Sequence, residues 1–293
     1  MRLKKRSGAN TTELKENNGV PYLEYLSLNA LPGFRNAFSM KEGGISPAPY
    51  GPMNLSFTVG DEPENVLENY RIFGDAIGIP PGSMVFSHQT HTTNVLRVGS
   101  GHLGMGILRE RNFHDTDGLV TDEAGVCLVT SFADCVPLYF VDPSRRAIGL
   151  SHSGWRGTVG NICKNTVELM KKEFGTDPED FFACIGPSIE GRCYEVGEDV
   201  AGPFREAYSP KELESILLPE KERPGKYFLD LTEANRINME NCGILPERIS
   251  LPDLCTACNR EALHSHRASK GRRGGMSAFL MITSREVSPQ ASS

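Results

Sequence analysis

The chain has 293 residues, a net charge of −6, seven histidines and eight cysteines. That length suits one large domain with ample apolar material for a core. The acidic balance argues against a non-specific nucleic-acid binder, which needs a basic face, and no apolar run is long enough to cross a bilayer. The opening MRLKKR is followed by polar residues where a signal peptide needs an apolar stretch, so a cytoplasmic protein with reduced cysteines is expected.

In chain order, residues 1–20 are polar and unpatterned and are expected to be a disordered tail. A helix is predicted over 63–77, with Asp61 as cap, Pro63 in its first turn, and Val66, Leu67, Tyr70 and Phe73 on one face. Short β-branched runs predict strands at 84–86, 94–98, 117–121, 126–132, 137–142 and 146–151. Residues 158–174 carry a helical pattern opened by Thr158 and closed by Gly175. A strand at 227–231, a helix over 232–242 capped by Thr232, and strands at 248–251 and 277–282 follow. Cys127, Cys163 and Cys184 lie inside apolar stretches and are expected in the core. No repeat or linker divides residues 21–285, which read as a single catalytic domain, with 286–293 as a flexible tail. Because strands arrive in clusters and do not alternate with helices, an α+β fold with mixed sheets is expected.

Three potential ligands stand out. His91 lies in HQTHTTNV between two predicted strands, and Cys135 lies in the polar break Ala-Asp-Cys between two apolar strands. His152 closes a third strand. If they converge, two imidazoles and a thiolate suit Zn²⁺ and leave the fourth tetrahedral position for water or substrate, the arrangement of a catalytic site. The plainer account of the break is a tight turn. After His152, the run Gly-Trp-Arg-Gly-Thr sets Arg156 beside a helix start, a combination that favours an anion, although an exposed arginine beside a buried tryptophan would look the same. Near the end, Cys255, Cys258, His264 and His266 imitate a two-Cys, two-His zinc site at unusual spacing; a loop lining a substrate pocket is the alternative.

Together QTHTTNV, ADCVP and HSGWRG resemble the three central motifs of the YfiH/laccase-domain family, with KEGGIS, DGLVT, IGPSIEGRCYEVGEDV, LDLTEANR, LCT and SHR in matching order over residues 33–283. The resemblance implies that His91, Cys135 and His152 hold the metal. It also implies two mixed sheets packed face to face with flanking helices, a four-layer α/β/β/α arrangement similar to a bacterial toxin deamidase domain. The implied activity is zinc-dependent phosphorolysis of adenosine, inosine, guanosine and methylthioadenosine, with adenosine deamination, by a monomer or homodimer. Lys41, Arg156, His266 and Arg267 are the expected phosphate or substrate contacts, and Asp134 is the candidate acid–base group, though it could equally be a turn-forming residue. Lys41 stands where the family usually has arginine and lacks the bidentate fork; Thr92 and Ser153 are smaller departures that remove no ligand.

Other readings of the same residues are a Cys–His amidase that edits cell-wall precursors, with Cys135 as nucleophile, a copper polyphenol oxidase, and a binding module whose metal only fixes loops. The chain has too few histidines for a laccase's additional three-copper cluster, although one copper ion at the Cys/His site is chemically possible.

Overall fold

The computed structural model describes residues 3–6 and 10–283. Two six-stranded sheets form its centre. The first runs from edge to edge as Thr12–Asn17, Val20–Tyr25, Phe34–Ser39, Met276–Ile282, Cys127–Phe132 and Met84–Phe86, antiparallel except for the last pair. The second runs as Ile249–Ser250, Phe182–Ile185, Val136–Asp142, Ala147–Ser153, Gly118–Thr121 and Val95–Arg97, with parallel pairs at both edges. A small three-stranded sheet joins Glu195–Val196, Tyr227–Leu229 and Leu217–Pro219. The expected α+β class with mixed sheets is what the molecule has.

Side chains alternate across each strand with period two, and that alternation builds the layers. From Met276–Ile282, Ala278, Leu280 and Ile282 enter the interface between the sheets, while Phe279 and Met281 face the Pro63–Ile77 helix. From Val136–Asp142, Tyr139 and Val141 enter the interface, while Val136, Leu138 and Phe140 face the helices Ile162–Phe174 and Leu231–Asn241. Tyr25 and Tyr139 meet across the interface at 5.0 Å, and Phe73 of the helix stacks on Phe279 at 4.9 Å. Helix, sheet, sheet and helix therefore form four layers. Cys127, Cys163 and Cys184 are fully buried in them, as expected.

Several local expectations are corrected. Thr12–Asn17, assigned by its polarity to a disordered tail, is an edge strand. Its outer face is solvated, so no apolar alternation marks it, and long-range contacts hold it in place. Asp253, fully buried, accepts the N–H groups of Thr11 and Thr12 and the Thr12 hydroxyl (3.2, 3.1 and 2.7 Å), and it pairs with Lys5 at 2.9 Å. The tail at 286–293 lies outside the described residues. The helix expected over 158–174 is two helices, Trp155–Val159 and Ile162–Phe174. Asn161 divides them with a left-handed φ of 57° and caps the second by accepting the Lys164 N–H. The Leu231–Asn241 helix is capped by Asp230, since Thr232 already lies inside its first turn. Glu62, not Asp61, is the residue preceding the Pro63–Ile77 helix, and Asp61 supports it by accepting the Glu62 N–H. Among the described residues no helix is long and apolar enough to cross a membrane.

The edge-strand network yields a direct test. Thr12→Val keeps the shape but removes the hydroxyl donated to a buried carboxylate. It is expected to cost about 1–3 kcal/mol of unfolding free energy, read from urea denaturation.

Candidate metal centre

Sheet register brings the ligand candidates together. Val136–Asp142 pairs antiparallel with Ala147–Ser153 so that Pro137 lies opposite His152, which puts Cys135, one residue before Val136, next to the histidine. On the other side of His152, its N–H donates to the carbonyl of Asp117 at 2.7 Å, at the start of Gly118–Thr121. His91 arrives on the loop between Met84–Phe86 and Val95–Arg97. A ligand atom from each of His91, Cys135 and His152 lies within 4.8 Å of the other two. His152 is buried, Cys135 half-buried and His91 exposed, so the group opens to solvent on the His91 side.

Asp117, fully buried, organises two of the three. Its Oδ1 accepts the Nδ1–H of His152 at 2.8 Å and the N–H of His91 at 3.1 Å. Its Oδ2 accepts the N–H groups of Thr90 and Thr92 at 3.0 and 2.9 Å. Because a carboxylate can only accept, Nδ1 of His152 carries the proton and Nε2 is left facing the thiol. The same bonds hold His91 at a left-handed φ of 63°, a conformation that needs such support in a residue other than glycine. Burial pushes the Asp117 carboxyl up, but the hydrogen bond and charge of His152 and the loop N–H groups outweigh it and hold it below the usual carboxylate range.

Cys135 and His152 form a polarised pair. Burial pushes the Cys135 thiol up, yet the charge and hydrogen bond of His152, followed by those of His91, bring it down to about 6. Burial lowers His152, but the Cys135 charge and the Asp117 hydrogen bond raise it to about 9. Without metal, the thiolate is therefore populated above about pH 6 and lost below it, while the imidazolium is lost as pH rises through about 9.

The donor set fits a metal ion. A soft thiolate and two imidazoles, one oriented by a carboxylate, are zinc or copper ligands. The backbone leaves room for an ion there. A Cβ on Gly154 would lie 3.0 Å from the His91 ring and 3.2 Å from Cys135 Sγ, so any larger residue would press on both ligand side chains. These residues bind the ion if present; the four ligand positions of zinc are filled by them to three, with one left open.

The pocket beside the triad is lined by Phe57, Phe86 and Phe132 and by Arg111 and Arg273. Neither arginine stood out in the sequence. Arg111 lies 5.0 Å from the Phe86 ring centre and donates to the Phe86 carbonyl. Arg273 is half-buried, and its Nε has no partner among the described residues. The Gly-Arg-Arg-Gly-Gly run, two arginines flanked by glycines just after Ser-His-Arg, was the available signal for Arg273. Asp117 was visible only as the first residue of the DGLVT strand, with nothing to mark it as a partner of His152.

The remaining candidates surround this pocket without lining it. Lys41 lies in an adjoining cleft with Arg272, and Arg273 lines both cavities. Arg156 is exposed, its guanidinium 4.3 Å from the Trp155 ring centre. His266 and Arg267 are exposed, with Arg267 over the Tyr194 ring at 5.0 Å. Asp134, at a left-handed φ of 91°, accepts the Thr256 hydroxyl (2.6 Å) and the Arg267 N–H (2.7 Å), one on each oxygen. The four-residue set Cys255, Cys258, His264 and His266 does not assemble: the His264 ring is bound to the Met53 carbonyl at 3.1 Å, and His266 faces solvent.

A four-layer α/β/β/α fold with one thiolate–imidazole centre at the strand ends defines the class of protein. Comparison with known proteins places it further. A family model described as multi-copper polyphenol oxidoreductase laccase matches residues 35–283. A protein from Geobacillus stearothermophilus named purine nucleoside phosphorylase YlmD is 37% identical over 244 residues, covering 82% of this chain and 87% of its own. A purine nucleoside phosphorylase from Bacteroides thetaiotaomicron is 36% identical over 261 residues, covering 89% and 96%. The crystal structure of YfiH from Bacillus licheniformis superposes with a TM-score of 0.86 at 32% identity, covering 92% of this chain and 99% of its own. The chain belongs to the YfiH/laccase-domain family.

Two outcomes are expected from this geometry. In metal-free protein, alkylation of Cys135 by iodoacetamide, mapped by peptide mass spectrometry, rises with a midpoint near pH 6, and His152→Ala moves the midpoint toward the ordinary thiol range. Asp117→Asn weakens zinc binding about 10- to 100-fold in competition with a chromophoric chelator, because it loosens both histidines.

Proposed function

We propose that the protein is a zinc-dependent purine nucleoside phosphorylase that cleaves adenosine, inosine, guanosine or methylthioadenosine to the free base and the corresponding ribose 1-phosphate. One observation carries the reading: the His91/Cys135/His152 centre opens into a pocket lined both by the aromatic rings of Phe57, Phe86 and Phe132 and by Arg111 and Arg273. A purine ring stacks on Phe57, Phe86 or Phe132, and an anion pairs with Arg111 and Arg273. The names of the relatives support the same substrate class.

In this reading the two arginines set phosphate beside the ribose carbon that bears the base. A phosphate oxygen bonds to that carbon as its bond to the purine nitrogen breaks. Arg273, which lines the pocket, pairs with the phosphate, and Lys41 and Arg272 add positive charge in the adjoining cleft. Arg156, His266 and Arg267 are exposed, and the two arginines help to draw the anions in. Zinc, when held by His91, Cys135 and His152, supplies Lewis acidity at the open position. Asp117 holds the Nδ1 proton of His152 and so directs its Nε2 to that position. Asp134 accepts the Arg267 N–H and the Thr256 hydroxyl, one on each oxygen, which fixes the carboxylate while leaving a lone pair on each oxygen for a proton. Adenosine deamination at the same centre is the companion activity, and it needs no phosphate.

A second reading has its own support. Asp117, His152 and Cys135 stand in the order of orienter, base and nucleophile, and the depressed thiol suits a Cys–His amidase acting on cell-wall precursors. A bound zinc occupies that thiolate, so metal content separates the two. The multi-copper oxidase reading has less support: among the described residues no further group of three metal-binding side chains contains a histidine.

The test is product analysis by mass spectrometry on metal-quantified protein with adenosine, with and without phosphate, alongside Cys135→Ala. Adenine and ribose 1-phosphate only with phosphate, and inosine without it, both absent in the variant, are expected. Zinc-loaded protein that forms neither product overturns the reading. Arg273→Gln is expected to raise the KM for phosphate about tenfold or more while changing that for nucleoside little.

A further inference from the structure

A second thiol cluster lies away from the metal centre and has no part in the function proposed above. Cys193, Cys255 and Cys258 place their sulfurs within 4.8 Å of one another, with Cys193 Sγ 3.5 Å from Cys258 Sγ. We propose that these three cysteines bind a second, structural zinc ion. Sequence spacing pairs Cys255 and Cys258 with His264 and His266; the fold supplies Cys193 in their place.

Three features support a metal over an accidental meeting of thiols. The first is spacing. Zn–S bonds of about 2.3 Å put the sulfurs of a tetrahedron about 3.8 Å apart, close to the separation seen, whereas a disulfide needs about 2.05 Å. The second is the loop around Cys255. It belongs to a Cys-x-x-Cys turn, a ligand spacing of structural zinc sites, and its sulfur accepts the Glu190 N–H at 3.3 Å. Backbone donors aimed at sulfur stabilise a thiolate, as outer-shell donors do around metal ligands. The third is charge. The Arg192 guanidinium is drawn to both Cys193 and Cys258 and is paired with Glu190 at 3.0 Å, so a cation faces the excess negative charge of three thiolates on one Zn²⁺. The fourth position is left to water.

Both ligand segments are anchored by the backbone. Cys193 ends the short turn Gly191–Cys193, whose start is held by the Cys193 N–H on the Glu190 carbonyl. Thr256, between the paired cysteines, donates its N–H to the Ser188 carbonyl and its hydroxyl to Asp134. Asp134 adjoins Cys135, so the second zinc braces from behind the turn that presents the thiolate of the first. The binding step exchanges three thiol protons for the metal, and it involves no oxidant or reductant.

Zinc itself is the probe. The full chain, reconstituted with zinc under reducing conditions and freed of excess metal, is analysed by inductively coupled plasma mass spectrometry in three forms. Wild type is expected to hold two zinc ions per chain, Cys193→Ser/Cys258→Ser one, and His91→Ala/His152→Ala one. Replacing zinc by cobalt in the histidine variant should retain thiolate-to-cobalt absorption. Equal zinc in wild type and the cysteine variant overturns the proposal, as does a Cys193–Cys258 disulfide in the reduced preparation. If the cysteine variant does not fold, the histidine variant decides alone: one retained zinc supports the second site, and none overturns it.

Discussion

The carboxylate of Asp117 is the constraint on which the site depends. It is fully buried, which is costly for an anion unless every lone pair is used. It accepts from a ring nitrogen of His152 and from three successive backbone N–H groups at residues 90–92. Through those bonds one side chain fixes the tautomer of one ligand and the backbone of another. Cys135 needs no such partner, since the antiparallel register with the His152 strand already places it. Without Asp117 the sheets would still pack, but His91 would have little reason to keep a left-handed backbone beside the other two.

Two scales of order support this arrangement. The four layers hold the strand ends in register through period-two packing, which leaves the chemistry to the loops beyond those ends. Close backbone approach then sets the geometry of the centre. Gly154 lies so near His91 and Cys135 that a side chain there would crowd both and shift them, and the short helix it precedes turns the chain away at once. The pocket receives its arginines from two distant segments, one beside Phe86 and one after the Ser-His-Arg run. Its cationic lining is therefore a product of the tertiary fold.

Much of this was legible in the residues. Buried strands such as Val136–Asp142 and Met276–Ile282 announce themselves as continuous apolar runs, and the Pro63–Ile77 helix by its periodicity and its proline. The three candidate ligands were legible because each is a polar residue of metal-binding type that breaks, ends or lies between apolar strands. Other features depend on distant partners and left no local trace. The polar strand Thr12–Asn17 is held by Asp253, far along the chain. Asn161 splits a helix whose apolar spacing runs on without a break. Asp117 and Arg273 acquire their roles from neighbours remote in sequence, and Cys193 reaches Cys258 only when the chain folds. Lys41, expected as a phosphate or substrate contact, lies in the next cleft, and Arg273 lines both.

Diffraction from zinc-reconstituted crystals, with data collected on both sides of the zinc absorption edge, tests the central claim most directly. The account requires an anomalous peak within bonding distance of His152 Nε2, Cys135 Sγ and a ring nitrogen of His91, with Asp117 still bound to His152. A fully reconstituted protein with no peak at that point, or with Cys135 turned away from both histidines, would contradict it.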